Sequence, residues 1–541
     1  MHLRSCLALV VTTLALVLAV GAEIPHPPAA RADTAPPAGT PATVSADSLP
    51  TVQVNGVVWA QVMVGTTVFA TGEFTRARPA GAPAGTREQV RRNLLAFDVR
   101  TGRLLPFTMP LNGAGRALAV SPDRKRLYVG GSFTRAGGKP RSRIAAIDLR
   151  TGTLVARFKQ GVDSGVRALT ATNKTVYAGG FFLRAAGKPR QRLAAFARGG
   201  RLRPWSPSAD GLVRALVMSP DRTKVIVAGS FSHLDGRRYH ALGAVAAGSG
   251  TPLPWASQSA EFPIRNDANN AGIYSLSADA ERIYLAGFSL GNRGRPGIFE
   301  GRAAISPSNG NLIWANDCHG DSYDTVPIGK VLYSVGHAHD CEPMGAFPEE
   351  QPWRYQRALA ETVYATGTNG PPTKGYTSFE GLPATTQLVW YPTVNTGSVT
   401  GQFQGGWSIV GNKRFVSMGG EFTEVNGQPQ QGLTRFAIRQ KAPNRRGPQP
   451  YGPGALTAGT ADAQGRITVQ WPATWDQDNA VLTYRLFRLG ADNPLHVTTA
   501  ESRFWDRPTL SFVDTGRTPG STQRYQLVVA DPLGNTTQAT S

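Results

Sequence analysis

The sequence predicts an all-β protein, a seven-bladed β-propeller followed by a β-sandwich, and three observations carry that prediction. A unit such as LYVGGSFTRAGGKPRSRIAAIDLRTGTL (Leu127–Leu154) recurs, its next copy being TVYAGGFFLRAAGKPRQRLAAFARGGRL (Thr175–Leu202). Aligned on Phe69, Tyr128, Tyr177, Ile226, Tyr284, Tyr333 and Val416, the copies lie 59, 49, 49, 58, 49 and 83 residues apart. A period near 49 is in the range of four-stranded propeller blades. Past residue 453 the pattern gives way to alternating runs, RITVQWPATW and VLTYRLFRLG, which read as strands of a separate sandwich.

Each copy divides into four short strands. In the second copy these are Gly115–Ser121, Arg126–Phe133, Arg143–Leu149 and Leu154–Gln160, bounded by turn residues at Ser121-Pro122-Asp123, Gly137-Gly138 and Thr151-Gly152. Gly130-Gly131 would weaken an isolated strand, but in a radial array it lets backbones crowd near the axis. The Asp of AFDVRTG and AIDLRTG (Asp98, Asp148) reads as a turn cap. Trp205, Trp255, Trp314 and Trp390 recur at the fourth strand, where recurrence favours packing between neighbouring blades over sugar platforms. The seventh copy shows only three strands, and the expectation is that Thr51–Asn55 completes it and closes the ring.

The chain begins with His2 and Arg4, then the apolar run Leu7–Gly21 and small residues. That is a secretory signal over residues 1–32, cleaved after Ala22 or Ala32, and no later segment is long and apolar enough to span a membrane. Residues 33–48, rich in Pro, Ala and Thr, read as a disordered tail, 49–440 as the propeller, 441–453 as a Pro/Arg linker and 454–541 as the sandwich. The net charge of +21 raises the question of nucleic acid, but the basic residues are scattered through every copy with no dense run and no interleaved aromatics, which argues against it. Cys6 leaves with the signal, so Cys318 and Cys341 remain as a pair in an oxidising compartment.

The junction of the fifth and sixth copies, NDCHGDSYDTVPIGKVLYSVGHAHDC (Asn316–Cys341), departs most from the repeat. Ile328 and Val331 flank a two-residue turn, and that hairpin register sets Cys318 directly opposite Cys341, close enough for a disulfide. Strand alternation puts His337 and His339 on the face of the bridge, His319 and Asp321 on the other, and Asp340 opposite His319. Loops at Glu342–Arg357 (with Trp353) and Thr366–Pro383 extend this copy.

Three readings stand. His337 and His339, completed by Asp321 or Asp340, could hold zinc or another divalent ion. A His–Asp pair could act as a general base. Or the imidazoles serve buried loop carbonyls beside the bridge. HExxH and GxSxG motifs are missing.

Two resemblances complete the reading. Residues 454–541 resemble a fibronectin type III domain, with Trp471 in the second strand, Tyr484 in the third and Tyr525 at the tyrosine corner, the chain stopping within the expected last strand. From about Leu49 to Arg439 the chain resembles a family of secreted actinobacterial propeller-repeat proteins, through the GGxFTxxxG and DxxTG repeats, the CHGD…HAHDC pair and the closing GGEFTEVNGQPQQGLTRF. That resemblance implies a fold and an extracellular address, with no established reaction. The expected function is a secreted, monomeric binding or adhesion protein recognising an extracellular polysaccharide, a cell-wall polymer or a surface protein, through His319, Asp321, His337, His339, Asp340 and Trp353. The alternative is an extracellular carbohydrate-active enzyme, a glycosidase or lyase with an accessory module.

Overall fold

The computed structural model describes residues 39–266, 270–290, 297–372 and 374–541. The expected signal segment with its expected cleavage points, and Cys6, lie outside them. The described chain is all-β, with two short 3-10 turns, and none of its helices is long and apolar enough to cross a membrane.

Val57–Val64, Gly115–Val120, Val166–Ala171, Leu212–Met218, Ala271–Ala278, Ser322–Ile328 and Gly406–Asn412 are the first strands of seven antiparallel sheets. Each first strand packs beside the next in chain order, and the seventh beside the first. The paired glycines explain how the sheets approach so closely. A side chain at Gly130 would strike Val166 of the following sheet, and one at Gly131 the carbonyl of Ala114 leading into its own first strand. Gly179 and Gly180 repeat the arrangement against Val213 and Gly165, and Gly419 and Gly420 against Val58 and Gly405. One glycine therefore admits the neighbouring sheet and the other admits the adjacent strand.

The outer strand is shorter than expected. In the second sheet only Thr153–Leu154 pairs, and elsewhere the fourth position is often a single bridge, as at Phe97↔Leu104, Phe196↔Leu202 and Val245↔Pro252. Pro106, Pro204 and Pro254 follow closely and cannot donate to a ladder. The recurrent tryptophans do pack between sheets: Trp205 Nε1 donates to Ala246 O at 3.0 Å and Trp314 Nε1 to Val363 O at 3.0 Å, each reaching into the next sheet. Asp98 and Asp148 cap turns, accepting the backbone N–H of Arg100 and Arg150.

The N-terminal segment corrects two expectations. Residues 43–47 are buried rather than a loose tail. Ser45 N–H donates to Ala437 O and Leu49 N–H to Arg435 O, both at the outer edge of the seventh sheet, and Val44 N–H reaches the Tyr333 hydroxyl at 2.8 Å. Gln53–Val54, expected to complete that edge, pairs with Arg76–Arg78, while Val54 N–H also donates to Gln431 O of the seventh copy. The reason is apolar fit: Val44 and Ala46 fill a gap beside Trp390 and Phe436 that composition alone does not reveal.

Residues 456–541 form a three-stranded sheet (Thr457–Ala458, Ile467–Pro472, Thr509–Asp514) facing a four-stranded one (His496–Glu501, Val481–Arg488, Tyr525–Ala530, Thr536–Thr540). Trp471 and Tyr484 lie in their core, and the Tyr525 hydroxyl donates to Asp514 rather than to backbone. This unit does not hang from a free linker. Phe504 and Trp505 pack on Phe347 and Tyr391, Tyr391 N–H donates to Gln477 O, and Asp478 Oδ2 accepts Ala46 N–H at 2.6 Å.

Removing residues 41–49 should uncover Trp390 and leave the Ala437 and Arg435 carbonyls without their strand partners. A fall in Tm of roughly 5 °C or more, with increased aggregation, is expected by differential scanning calorimetry.

Candidate functional site

The hairpin of the sixth sheet keeps the expected register from Ile328↔Val331 to Asp324↔Val335, then slips by one residue at Tyr323 so that Ser322 faces Gly336. His319↔Asp340 restores the original register. The intervening turn depends on Gly320, at φ +105°, where a side chain would strike the backbone of His337. Cys318 and Cys341 are joined one step further on, both fully buried.

The slip changes the faces. His319 and Asp321, expected opposite His337 and His339, line the same cavity as those two, a space of about 170 Å3 that also meets Glu300, Trp353 and Tyr376. A bulge inserts an unpaired residue and re-aims those that follow, which simple alternation cannot anticipate. Asp340 is the exception among the expected binding residues. It is fully buried away from the cavity lining, and its Oδ1 accepts Glu342 N–H at the turn Glu342–Met344.

Each ring is held by a different device. His319 stacks on Tyr376 with centroids 4.0 Å apart, and its Nε2 lies 3.3 Å from Asp317. His339 lies parallel to Trp353 at 4.4 Å, with Nδ1 3.4 Å from Glu349, whose carboxylate also accepts the Tyr376 hydroxyl. The two long loops of this copy thus supply Trp353 and Tyr376 to the cavity wall, with Glu349 buried behind them. His337 is bonded at both nitrogens: Nε2 accepts Asp321 N–H at 3.3 Å, so the ring proton sits on Nδ1, facing the Tyr323 oxygen at 2.9 Å and Gln404 at 3.0 Å. Burial, with Arg357 nearby, pushes its pKa down to about 4, so it stays neutral.

These engagements bear on the metal reading. Among the described residues no group of three or more His, Cys, Asp and Glu side chains is arranged to hold a metal ion. His337 has both nitrogens occupied, and Asp321 accepts Ser289 N–H at 2.9 Å and the Tyr323 hydroxyl at 3.4 Å. His339 is turned toward Glu349 and Trp353. The proposed set His337, His339 and Asp321 therefore shares a cavity without forming a ligand set.

A second cavity, of about 430 Å3, adjoins the first through Asp321 and follows the axis between the seven sheets. Its lining was missed from sequence. Every first strand carries one bulge at the same point of the repeat, at Trp59, Arg116, Arg167, Arg214, Tyr274, Tyr323 and Trp407. All seven face this cavity or its continuation deeper along the axis. The four aromatics cluster, with Tyr323 4.3 Å and Trp59 4.8 Å from Trp407, and Tyr274 stacked on Trp407 at 5.7 Å. The three arginines take the opposite arc. Aligning VWAQV, GRALA, VRALT, VRALV, IYSLS, SYDTV and GWSIV would have exposed this alternation of Arg with Trp and Tyr.

Burial raises several carboxyl pKa values here: Asp317 to about 6, Asp321 to about 6, and Asp324, beneath the aromatic cluster, to about 7.

No protein-family model matches the chain, and no curated protein does. Among solved structures it aligns with the computationally designed Ika8 protein at 12% identity and TM-score 0.37, covering 72% of this chain and 100% of that one. It aligns with U3-55K at 10% and 0.43, covering 73% and 100%, and with the WD40 β-propeller domain of Doa1 at 11% and 0.38, covering 73% and 98%. Superpositions this loose carry no information about function. Among the described residues the chain is all-β with one disulfide, and its particular role rests on its own geometry.

Two outcomes follow from this geometry. Replacing both cysteines (Cys318→Ala/Cys341→Ala) should cost up to ~3 kcal/mol in denaturant unfolding, the chain-entropy value for a loop of this length, reduced by the constraint the hairpin already imposes. For Asp324, the folded pKa lies above the unfolded one, so the folded state binds the extra proton. Its contribution to stability is therefore present below about pH 4 and lost as pH rises toward about 7. Asp324→Asn should match the parent at about pH 4 and be more stable at about pH 8, by at most ~4 kcal/mol. Thermal melts across pH check this.

Proposed function

We propose that residues 49–440 form a seven-bladed β-propeller, that residues 454–541 form a fibronectin type III-like domain, and that the protein is exported and binds an extracellular polysaccharide or cell-wall polymer. The cyclic packing of seven first strands supports the propeller reading, and the facing three- and four-stranded sheets support the second domain. The signal-like start and a buried disulfide fit export.

The observation that carries the binding reading is the aromatic and imidazole wall of the smaller cavity. Trp353 is 40% exposed at the rim, backed by His339, with Tyr376 and His319 forming a second stacked pair. An indole with polar groups beside it suits the apolar face and hydroxyl rim of a sugar ring. The cavity is preformed: its histidines are held by hydrogen bonds, stacking and the adjoining disulfide, so little ordering is left for the ligand to impose. A cavity of this size takes one sugar unit or a chain end rather than a protein surface.

A hydrolytic reading has one specific support. Asp321, with its pKa near 6, shares the cavity with Glu300, a pairing of a protonatable acid with a second carboxylate that glycoside cleavage uses.

Retention of the purified protein on insoluble polysaccharides and cell-wall preparations tests the binding reading. Trp353→Ala should keep the parental circular dichroism spectrum and weaken retention about tenfold, ~1.4 kcal/mol. Retention unchanged in Trp353→Ala and in His337→Ala/His339→Ala would overturn the proposed surface. Reducing ends released by the parent and not by Asp321→Asn would favour the enzyme.

A further inference from the structure

The axial cavity has a chemistry the smaller one lacks. Arg116, Arg167 and Arg214 converge on it from three consecutive sheets, and their charge is poorly answered. Glu73 approaches Arg116 only to 3.9 Å and is 62% exposed. Asp321, on the side of Arg214, is already bonded to Ser289 N–H and the Tyr323 hydroxyl.

What the guanidiniums do contact is mostly ring faces. Arg116 lies 4.0 Å over Trp59, Arg167 5.3 Å over Phe181, and Arg214 4.7 Å over Phe288. Stacking of this kind uses the plane of a guanidinium and leaves its in-plane N–H donors unserved. Arg116 Nε is buried with no acceptor, and Arg214 Nε has only Ser230 Oγ at 3.3 Å. Stacked rings also hold the forks in place before any ligand arrives, which lowers the ordering cost of binding. The mouth of the same cavity is apolar: Phe181, Leu290 and Val399 line it and are 45%, 63% and 50% exposed.

We propose that this cavity binds an organic anion, its carboxylate, sulfate or phosphate head held between Arg116, Arg167 and Arg214 and its carbon body against Phe181, Leu290 and Val399. The head supplies the acceptors that the planar donors lack, in the bidentate geometry guanidinium favours. Low-dielectric walls strengthen that attraction. The body covers apolar surface now facing water. A structural role as an axial plug accounts for the stacking but not for three like charges placed on one arc with free donor edges. The site is independent of the polysaccharide reading, since loss of retention on polymers leaves it untouched.

The test is titration calorimetry on the purified full-length protein with naphthoate, naphthalenesulfonate and naphthyl phosphate, with neutral naphthol and inorganic sulfate as controls. At least one naphthyl anion should bind one-to-one, about tenfold or more tighter than naphthol and than inorganic sulfate, and more weakly as salt is added. The preferred head distinguishes carboxylate from sulfate or phosphate ligands. Arg167→Gln should weaken that binding about tenfold while melting like the parent. Val399→Asp, at a half-exposed position where folding is not at stake, should weaken it as well and decides the matter if Arg167→Gln does not fold. Naphthol or inorganic sulfate binding as tightly as the anions, no saturable anion binding, or affinity unchanged in the folded variants would overturn the proposal.

Discussion

Everything in this structure depends on how closely seven sheets can approach one axis. The second strand of each sheet meets the first strand of the next, and that contact tolerates no side chain where a valine presses in. Gly130 against Val166, Gly179 against Val213 and Gly419 against Val58 are three instances of one constraint. Where the first sheet carries Thr71 instead, the glycine has moved across the contact to Gly115 of the next sheet. The space is conserved by geometry, whichever partner gives up its side chain.

That convergence also creates the cavities. A bulge at the same point of each first strand turns one residue toward the axis, so a repeat that looks uniform along the chain becomes a ring of seven selected side chains. Four are aromatic and pack on each other, and three are arginines stacked on rings. Carboxyl groups just behind, such as Asp324, are driven toward the neutral form because burial opposes their charge and only backbone and hydroxyl donors compensate.

The fifth and sixth sheets are braced more heavily than the others, and the smaller cavity sits there. Arg302 and Glu361 form a fully buried ion pair between these sheets, at 2.8 Å, and Arg302 also reaches the Cys318 sulfur at 3.4 Å. Losing either partner would strand a charge in the interior, so the pair enforces one arrangement of the two sheets. From the other side, Phe504 and Trp505 of the C-terminal unit press on Phe347, just beyond the disulfide. Rigid support on both sides is what allows a loop-built cavity to hold its imidazoles in fixed poses.

The sequence by itself determined the strand character, the repeat spacing, the pairing of Cys318 with Cys341, the capping role of Asp98 and Asp148, and the inter-sheet packing of Trp205 and Trp314. These follow from local rules: period-two alternation, turn chemistry and hairpin register act over a few residues and leave their mark in the chain. Tertiary structure decided the rest. It brought His319 and Asp321 to the side of His337 and His339, because a single bulge at Tyr323 shifts the faces without changing the composition. It seated residues 43–47 against Trp390 and the C-terminal unit against Tyr391, because apolar fit between distant segments has no local signature. And it gathered Arg116, Arg167 and Arg214, about 50 residues apart in sequence, around one axis. Charge reads as scattered along a chain until the fold determines which charges face each other.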